Sequence, residues 1–279
     1  MKKIQPVVLV HGFWHGSWSW SLVAEHLAGA GIQSVAVDIE GHGLRASIPA
    51  SRSARPFDPA AFATEPSPVA HITASSAAAD LVERIRMIGG GEPCLVVAHS
   101  MGGVIATAAA ELAPELISGI CYVSAFVPVA GAPVFSYLSY PENEGEKVIR
   151  LFAADPAVVG ALRIDTLDPA RRDEIKETFY NDVDDHAADA AITLLRSDAP
   201  AGVITEELTV TEQRYGSVPH SYVVCGQDNT IPVALQRLAI REIDAVSASP
   251  TNVIELDSSH SPFLSQPAEL AKAIATVLT

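Results

Sequence analysis

Six short apolar runs punctuate the chain, each bounded by glycine, proline or a polar residue: PVVLV (6–10), SVAVD (34–38), CLVVA (94–98), GICYVSA (119–125), SYVVC (221–225) and NVIEL (252–256). They are rich in β-branched residues and largely continuous rather than alternating, which is the pattern of strands covered on both faces. Between most of them lie alanine- and leucine-rich segments with helical spacing, around 19–30, 74–88, 101–113, 232–243 and 267–278. Strand and helix in alternation predict an α/β fold: a mostly parallel six-stranded sheet, helices on both faces and right-handed crossovers.

Two stretches interrupt the alternation. Residues 45–73 carry five prolines and no clear period, and are expected to form a long ordered loop over the edge or mouth of the sheet. Residues 128–218 are far longer than a crossover, and their periodicity is helical in PARRDEIKETFYNDV (169–183) and DHAADAAITLLRS (185–197). The expected organisation is a core from residues 1–127 and 219–279, with 128–218 inserted as a small helical cap where substrate choice would reside.

Length and composition narrow the function classes. A chain of 279 residues with 48% apolar content fits a soluble globular domain. A formal net charge of −15 repels phosphate backbones and anionic membrane surfaces, so neither nucleic acid nor membrane is expected as a partner. No apolar window reaches the ~20 residues of a membrane span, and the apolar part of MKKIQPVVLVHG is short for a signal peptide, so the expected location is the cytoplasm. Cys94, Cys121 and Cys225 sit in or beside apolar runs without a CxxC pair and read as small buried hydrophobes. No metal-ligand cluster or dinucleotide glycine fingerprint is present, so no cofactor and no metal is expected.

In open parallel sheets the functional crevice lies at the carboxyl ends of the strands. The polar residues expected there are His11, Asp38, His99 with Ser100, Ser124, Gln227 with Asp228, and Asp257 to His260. Ser100 lies in AHSMGG between an apolar run and a helix, where a serine is either an N-cap or a nucleophile on a strained strand-to-helix turn. A serine hydroxyl needs a base, and the base needs a carboxylate to fix its tautomer. His260 follows the last strand and Asp228 the one before it, so the order Ser, Asp, His falls on strand ends. Asp228 could also cap the helix near Pro232, and Asp257 is a rival acid, ranked second because it stands only three residues before His260. The backbone N–H groups of Phe13 and Met101 are the expected oxyanion donors. Gly12, Trp14, His15, His99 and Phe126 are expected in the substrate pocket. His15 is also a candidate to orient the loop; His11 and His42 read as structural supports, and Trp18 and Trp20 as packing residues.

On LVHGFWHGSWSW, VAHSMGG, CGQDNTIPVALQR and SSHSPFLSQP the chain resembles the α/β-hydrolase superfamily over nearly its whole length, and more narrowly its plant methylesterase and hydroxynitrile-lyase branch with bacterial esterase relatives. The resemblance implies the α/β-hydrolase fold and a Ser100, His260, Asp228 triad. Lyases of that branch carry threonine after the first-strand histidine and lysine after the catalytic histidine, where this chain has Gly12 and Ser261. The expectation is a cofactor-free serine carboxylesterase for a small to medium hydrophobic ester, with a methyl ester or a lactone as the named options. A lyase or C–C hydrolase on the same triad and a non-catalytic ligand-binding protein stand as alternatives. The expected partner is the small-molecule ester, with a homodimer as an option.

Overall fold

The computed structural model describes residues 5–278. Strands β1 (Val7–Val10), β2 (Ser34–Val37), β3 (Cys94–Ser100), β4 (Ile117–Ala125), β7 (His220–Cys225) and β8 (Asn252–Leu256) form a six-stranded sheet in the order β2-β1-β3-β4-β7-β8. All of its neighbouring pairs are parallel. β5 (Ala161–Arg163) and β6 (Asp198–Pro200) make a separate antiparallel ribbon.

Every side chain of β1, β3 and β7 is buried, which explains why their sequences are continuous apolar runs. The pleat deals successive residues to opposite faces. Val8, Val10, Val96, Ala98, Ile120 and Tyr122 join the larger apolar cluster, with residues of helices Ala74–Gly89, Gly102–Leu112 and Val233–Val246. Val7, Leu9, Leu95, Val97, Cys121 and Val123 join the second cluster, with residues of helices Ser21–Gly29 and Pro267–Val277. Cys94, Cys121 and Cys225 are buried thiols within these layers.

The two irregular stretches hold more structure than their patterns suggest. Within 45–73 lie short helices Ala50–Ser53 and Pro59–Thr64; the second begins at Asp58, whose carboxylate accepts from the Ala60 and Ala61 amides ahead of a proline at the first helical position. The segment is therefore not a helix-free loop, and the Asp-Pro pair was its readable start signal. The 128–218 stretch carries helices Arg172–Phe179 and Asp185–Leu194, and also the β5–β6 ribbon, whose three-residue strands are too short to show a period. Among the described residues no helix is long and apolar enough to cross a membrane.

Candidate active site

Ser100 ends β3, and the chain turns directly into helix Gly102–Leu112. Its φ is +53°, a left-handed conformation costing a non-glycine residue roughly 1–2 kcal/mol. Among the described residues only Trp14 (φ 62°), Ser100 and Ser124 (φ 38°) are non-glycines with positive φ, and all three lie at the carboxyl end of the sheet. The turn is crowded: a Cβ on Gly103 would lie 2.6 Å from the Phe126 carbonyl oxygen, and one on Gly12 would lie 2.6 Å from Ser100 Cβ and 3.2 Å from its Oγ. Close backbone approach explains both glycines and brings the β1 loop against the hydroxyl.

Asp228 and His260 arrive from the loops after β7 and β8. His260 Nδ1 lies 2.7 Å from Asp228 Oδ2, with both side chains essentially inaccessible to solvent. A carboxylate only accepts, so the imidazole proton sits on Nδ1 and Nε2 is left as an acceptor. Asp228 is fixed in turn: Oδ1 accepts from the amides of Thr230 (2.6 Å) and Ile231 (2.9 Å), and Oδ2 also accepts from Ser124 Oγ. Helix Val233–Val246 starts after Pro232 without a side-chain cap, so Asp228 does not cap it; its Oδ1 instead closes the turn at Thr230 and Ile231, and its Oδ2 faces the imidazole. Asp257 is exposed and takes a hydrogen bond from the Gln227 side chain at 2.9 Å.

Three buried histidines brace these loops. His11 Nδ1 donates to the Gly12 carbonyl (2.7 Å), His15 Nδ1 to the Phe13 carbonyl (2.8 Å) and His99 Nε2 to the His260 carbonyl (2.8 Å). A carbonyl cannot donate, so each bond fixes a tautomer. Burial holds all three neutral, with His11 and His15 pushed down to about 3 and His99 well below the usual histidine range. The β1 loop is also tied to the 128–218 segment through Trp14: Nε1 donates to the Leu162 carbonyl (2.9 Å), and its carbonyl accepts from the Arg196 amide (2.9 Å).

Above Ser100 lies a narrow cavity with about 40 Å³ open to the centre of a water-sized sphere. Its floor is Phe13, Trp14, Ser100, Met101 and Phe126; its upper wall, which includes Val134, Phe135, Leu138, Phe152, Leu162 and Ile204, comes from the 128–218 segment. Its only polar side chains are Ser100 and Thr230, and the Thr230 hydroxyl is engaged with the Thr178 carbonyl at 3.0 Å. Such a surface suits an uncharged apolar molecule.

Of the residues expected at the pocket, Trp14 and Phe126 line this cavity, as do the expected amide donors Phe13 and Met101. Gly12 sits against Ser100. His15 and His99 lie outside the lining, turned back as buried supports, so their expected place in the pocket is corrected to a place behind it. The residue that pattern reasoning missed is Ser124. It stood among the strand-end polar residues, but nothing local announces that its hydroxyl reaches a carboxylate 104 positions away.

A model of the alpha/beta hydrolase family matches residues 7–273. Methylesterase 7 of Arabidopsis thaliana is 26% identical over 285 residues, covering 97% of this chain and 95% of the relative. Methylesterase 9 of the same plant is 28% identical over 277 residues, covering 97% and 96%. A pyrethroid hydrolase from Sphingobium faniae superposes with a TM-score of 0.74 at 18% identity, covering 98% of this chain and 97% of that one, a likeness that speaks to fold alone.

Proposed function

The chain belongs to the alpha/beta hydrolase family, and from that premise we propose that it is a carboxylesterase acting through Ser100, His260 and Asp228. The observation that carries the reading is the buried Asp228–His260 pair at the same sheet end as a strained serine that opens onto an apolar cavity. The similarity to plant methylesterases supports ester hydrolysis as the reaction.

In this reading Ser100 Oγ attacks the ester carbonyl while His260 Nε2 takes its proton, and Asp228 stabilises the imidazolium that forms. The amides of Phe13 and Met101 hold the oxyanion, and Gly12 leaves room for the tetrahedral carbon beside Ser100. His260 then returns the proton to the leaving alcohol, and water releases the acid by the same route. Residues 1–127 and 219–279 supply the chemistry, and the 128–218 insertion acts as a cap supplying most of the apolar wall. The substrate class is an uncharged, hydrophobic carboxylic ester of small to medium size.

A fluorophosphonate probe tests the nucleophile directly. Labelling should fall on Ser100, and Ser100→Ala should lower kcat toward p-nitrophenyl esters by about 10³-fold or more with the fold intact. Retention of more than about a tenth of the activity would refute the mechanism, given the usual cost of losing a triad member.

A further inference from the structure

The segment Glu177–Asp182, the end of helix Arg172–Phe179 and the three residues after it, bonds to three separate loops at the carboxyl end of the sheet. Toward the β1 loop, the Tyr180 hydroxyl meets His15 Nε2 at 2.8 Å. His15 already donates from Nδ1 to the Phe13 carbonyl, so Nε2 must accept and Tyr180 donates. Toward the acid loop, the Glu177 carbonyl accepts from Asn229 Nδ2 (2.7 Å), the Thr178 carbonyl from Thr230 Oγ1 (3.0 Å), and Asn181 Nδ2 donates to the Gln227 carbonyl (3.0 Å). These bonds bracket Asp228 on both sides. Toward the histidine loop, Asp182 Oδ2 accepts from the Ser259 amide at 2.9 Å, one residue before His260.

We propose that Glu177–Asp182 is a positioning strap that sets the oxyanion loop, the acid loop and the histidine loop in one register, with Tyr180 and Asp182 as its positioning residues. The proposal rests on the carboxylesterase reading. A cap that only walled the pocket would touch substrate and leave these loops alone; this strap instead bonds residues adjoining Asp228 and His260 and, through His15, the loop that carries Phe13. Each of the three loops springs from a different strand, and the strap spans them all. Small misplacements of reacting groups are expensive in rate, so the strap's contribution should appear in turnover rather than in binding.

The test uses the full-length protein and compares three variants with wild type on one p-nitrophenyl ester. Asp182→Ala removes the acceptor for Ser259 and should lower kcat by about tenfold or more with KM within about twofold. Asp182→Asn keeps an acceptor oxygen and should restore most of that loss. Tyr180→Phe preserves the packed ring, so it folds even if Asp182→Ala does not; it should lower kcat several-fold at unchanged KM. Loss of thermal stability with kcat within twofold of wild type in both Asp182→Ala and Tyr180→Phe would overturn the strap and leave a structural brace. Equal losses in Asp182→Asn and Asp182→Ala would overturn the assigned role of Asp182. Fluorophosphonate labelling of wild-type Ser100 is read in parallel, because its absence would refute the esterase reading itself, independently of the strap.

Discussion

Asp228 and Asp198 are both almost fully buried, and each faces a nitrogen at 2.7 Å, His260 Nδ1 for the first and Arg163 Nη2 for the second. Arg163 is held from every side: Nε meets Asp198 Oδ1 at 2.9 Å, and Nη1 donates to the Glu65 carbonyl at 2.9 Å and to the Phe62 carbonyl. That arrangement ties the β5–β6 ribbon to the 45–73 stretch, and Leu162, paired with Ala199 in the middle of the ribbon, lines the cavity while receiving the Trp14 bond. The two pairs use the same physics to bury a carboxylate, which must be matched by charge and by hydrogen bonds. They differ in the base. A guanidinium keeps its proton and makes a staple, whereas an imidazole can pass one on and makes a device for moving protons.

The same substitution should separate the two carboxylates most sharply. Asp228→Asn keeps the shape, removes the charge that stabilises the imidazolium, and should lower kcat by about 10³-fold or more with the thermal midpoint little changed. Asp257→Asn is the control, because Asp257 is exposed and bonded to Gln227 rather than to His260; it should leave kcat within about twofold, as surface changes usually do. Steady-state kinetics on the pair decides the assignment, and the reverse ranking would move the acid to Asp257.

In the 128–218 stretch the damage should fall on stability. Asp198→Asn leaves the Arg163 charge buried without its counter-ion, and breaking such a pair typically costs about 3–5 kcal/mol. Urea unfolding should show that loss, while kcat per folded molecule at low denaturant should stay within several-fold of wild type. A fall in kcat as deep as that of Asp228→Asn would erase the distinction between staple and proton device.

The contrast also marks what was legible in the sequence. Ser100, Asp228 and His260 could be placed because strands announce their own ends, and the chemistry of a parallel sheet gathers there. The six strands were readable for a related reason: both faces are buried, so their apolar runs are continuous. Arg163 and Asp198 carry no such signal, since they lie 35 positions apart in strands of three residues, and only the ribbon's register brings them together. Ser124 was visible as a strand-end residue, but its bond to Asp228 depends on β4 and β7 being neighbours and on a left-handed turn that no local pattern encodes. Side-chain direction was the other blind spot. His15 and His99 adjoin the chemistry in sequence, yet they point back into the protein as braces.

Acid should weaken the two regions unequally, with a smaller effect per group than either substitution. His11, His15 and His42 are buried and held neutral by desolvation, with values pushed down to about 3, about 3 and about 4. Their folded values lie below the ordinary histidine value of about 6.5, so below that pH the unfolded chain binds more protons than the native protein. Stability from these groups is therefore fully present well above pH 6.5 and is lost as pH falls from there toward the folded values of about 3 and about 4, each histidine approaching about 1.4 kcal/mol per pH unit. The window from pH 6.5 to 5.5 isolates the buried histidines, to which His99 and His220, also lowered by burial, belong, because ordinary carboxylates titrate near 4. Urea unfolding at pH 7.5, 6.5 and 5.5 should show stability falling mainly over the last interval, and His15→Gln should reduce that fall by close to one histidine's share whatever its effect on absolute stability. An unchanged slope in His15→Gln would mean that His15 binds its proton as readily in the folded protein as in the unfolded chain, and the neutral brace behind the β1 loop would have to be abandoned.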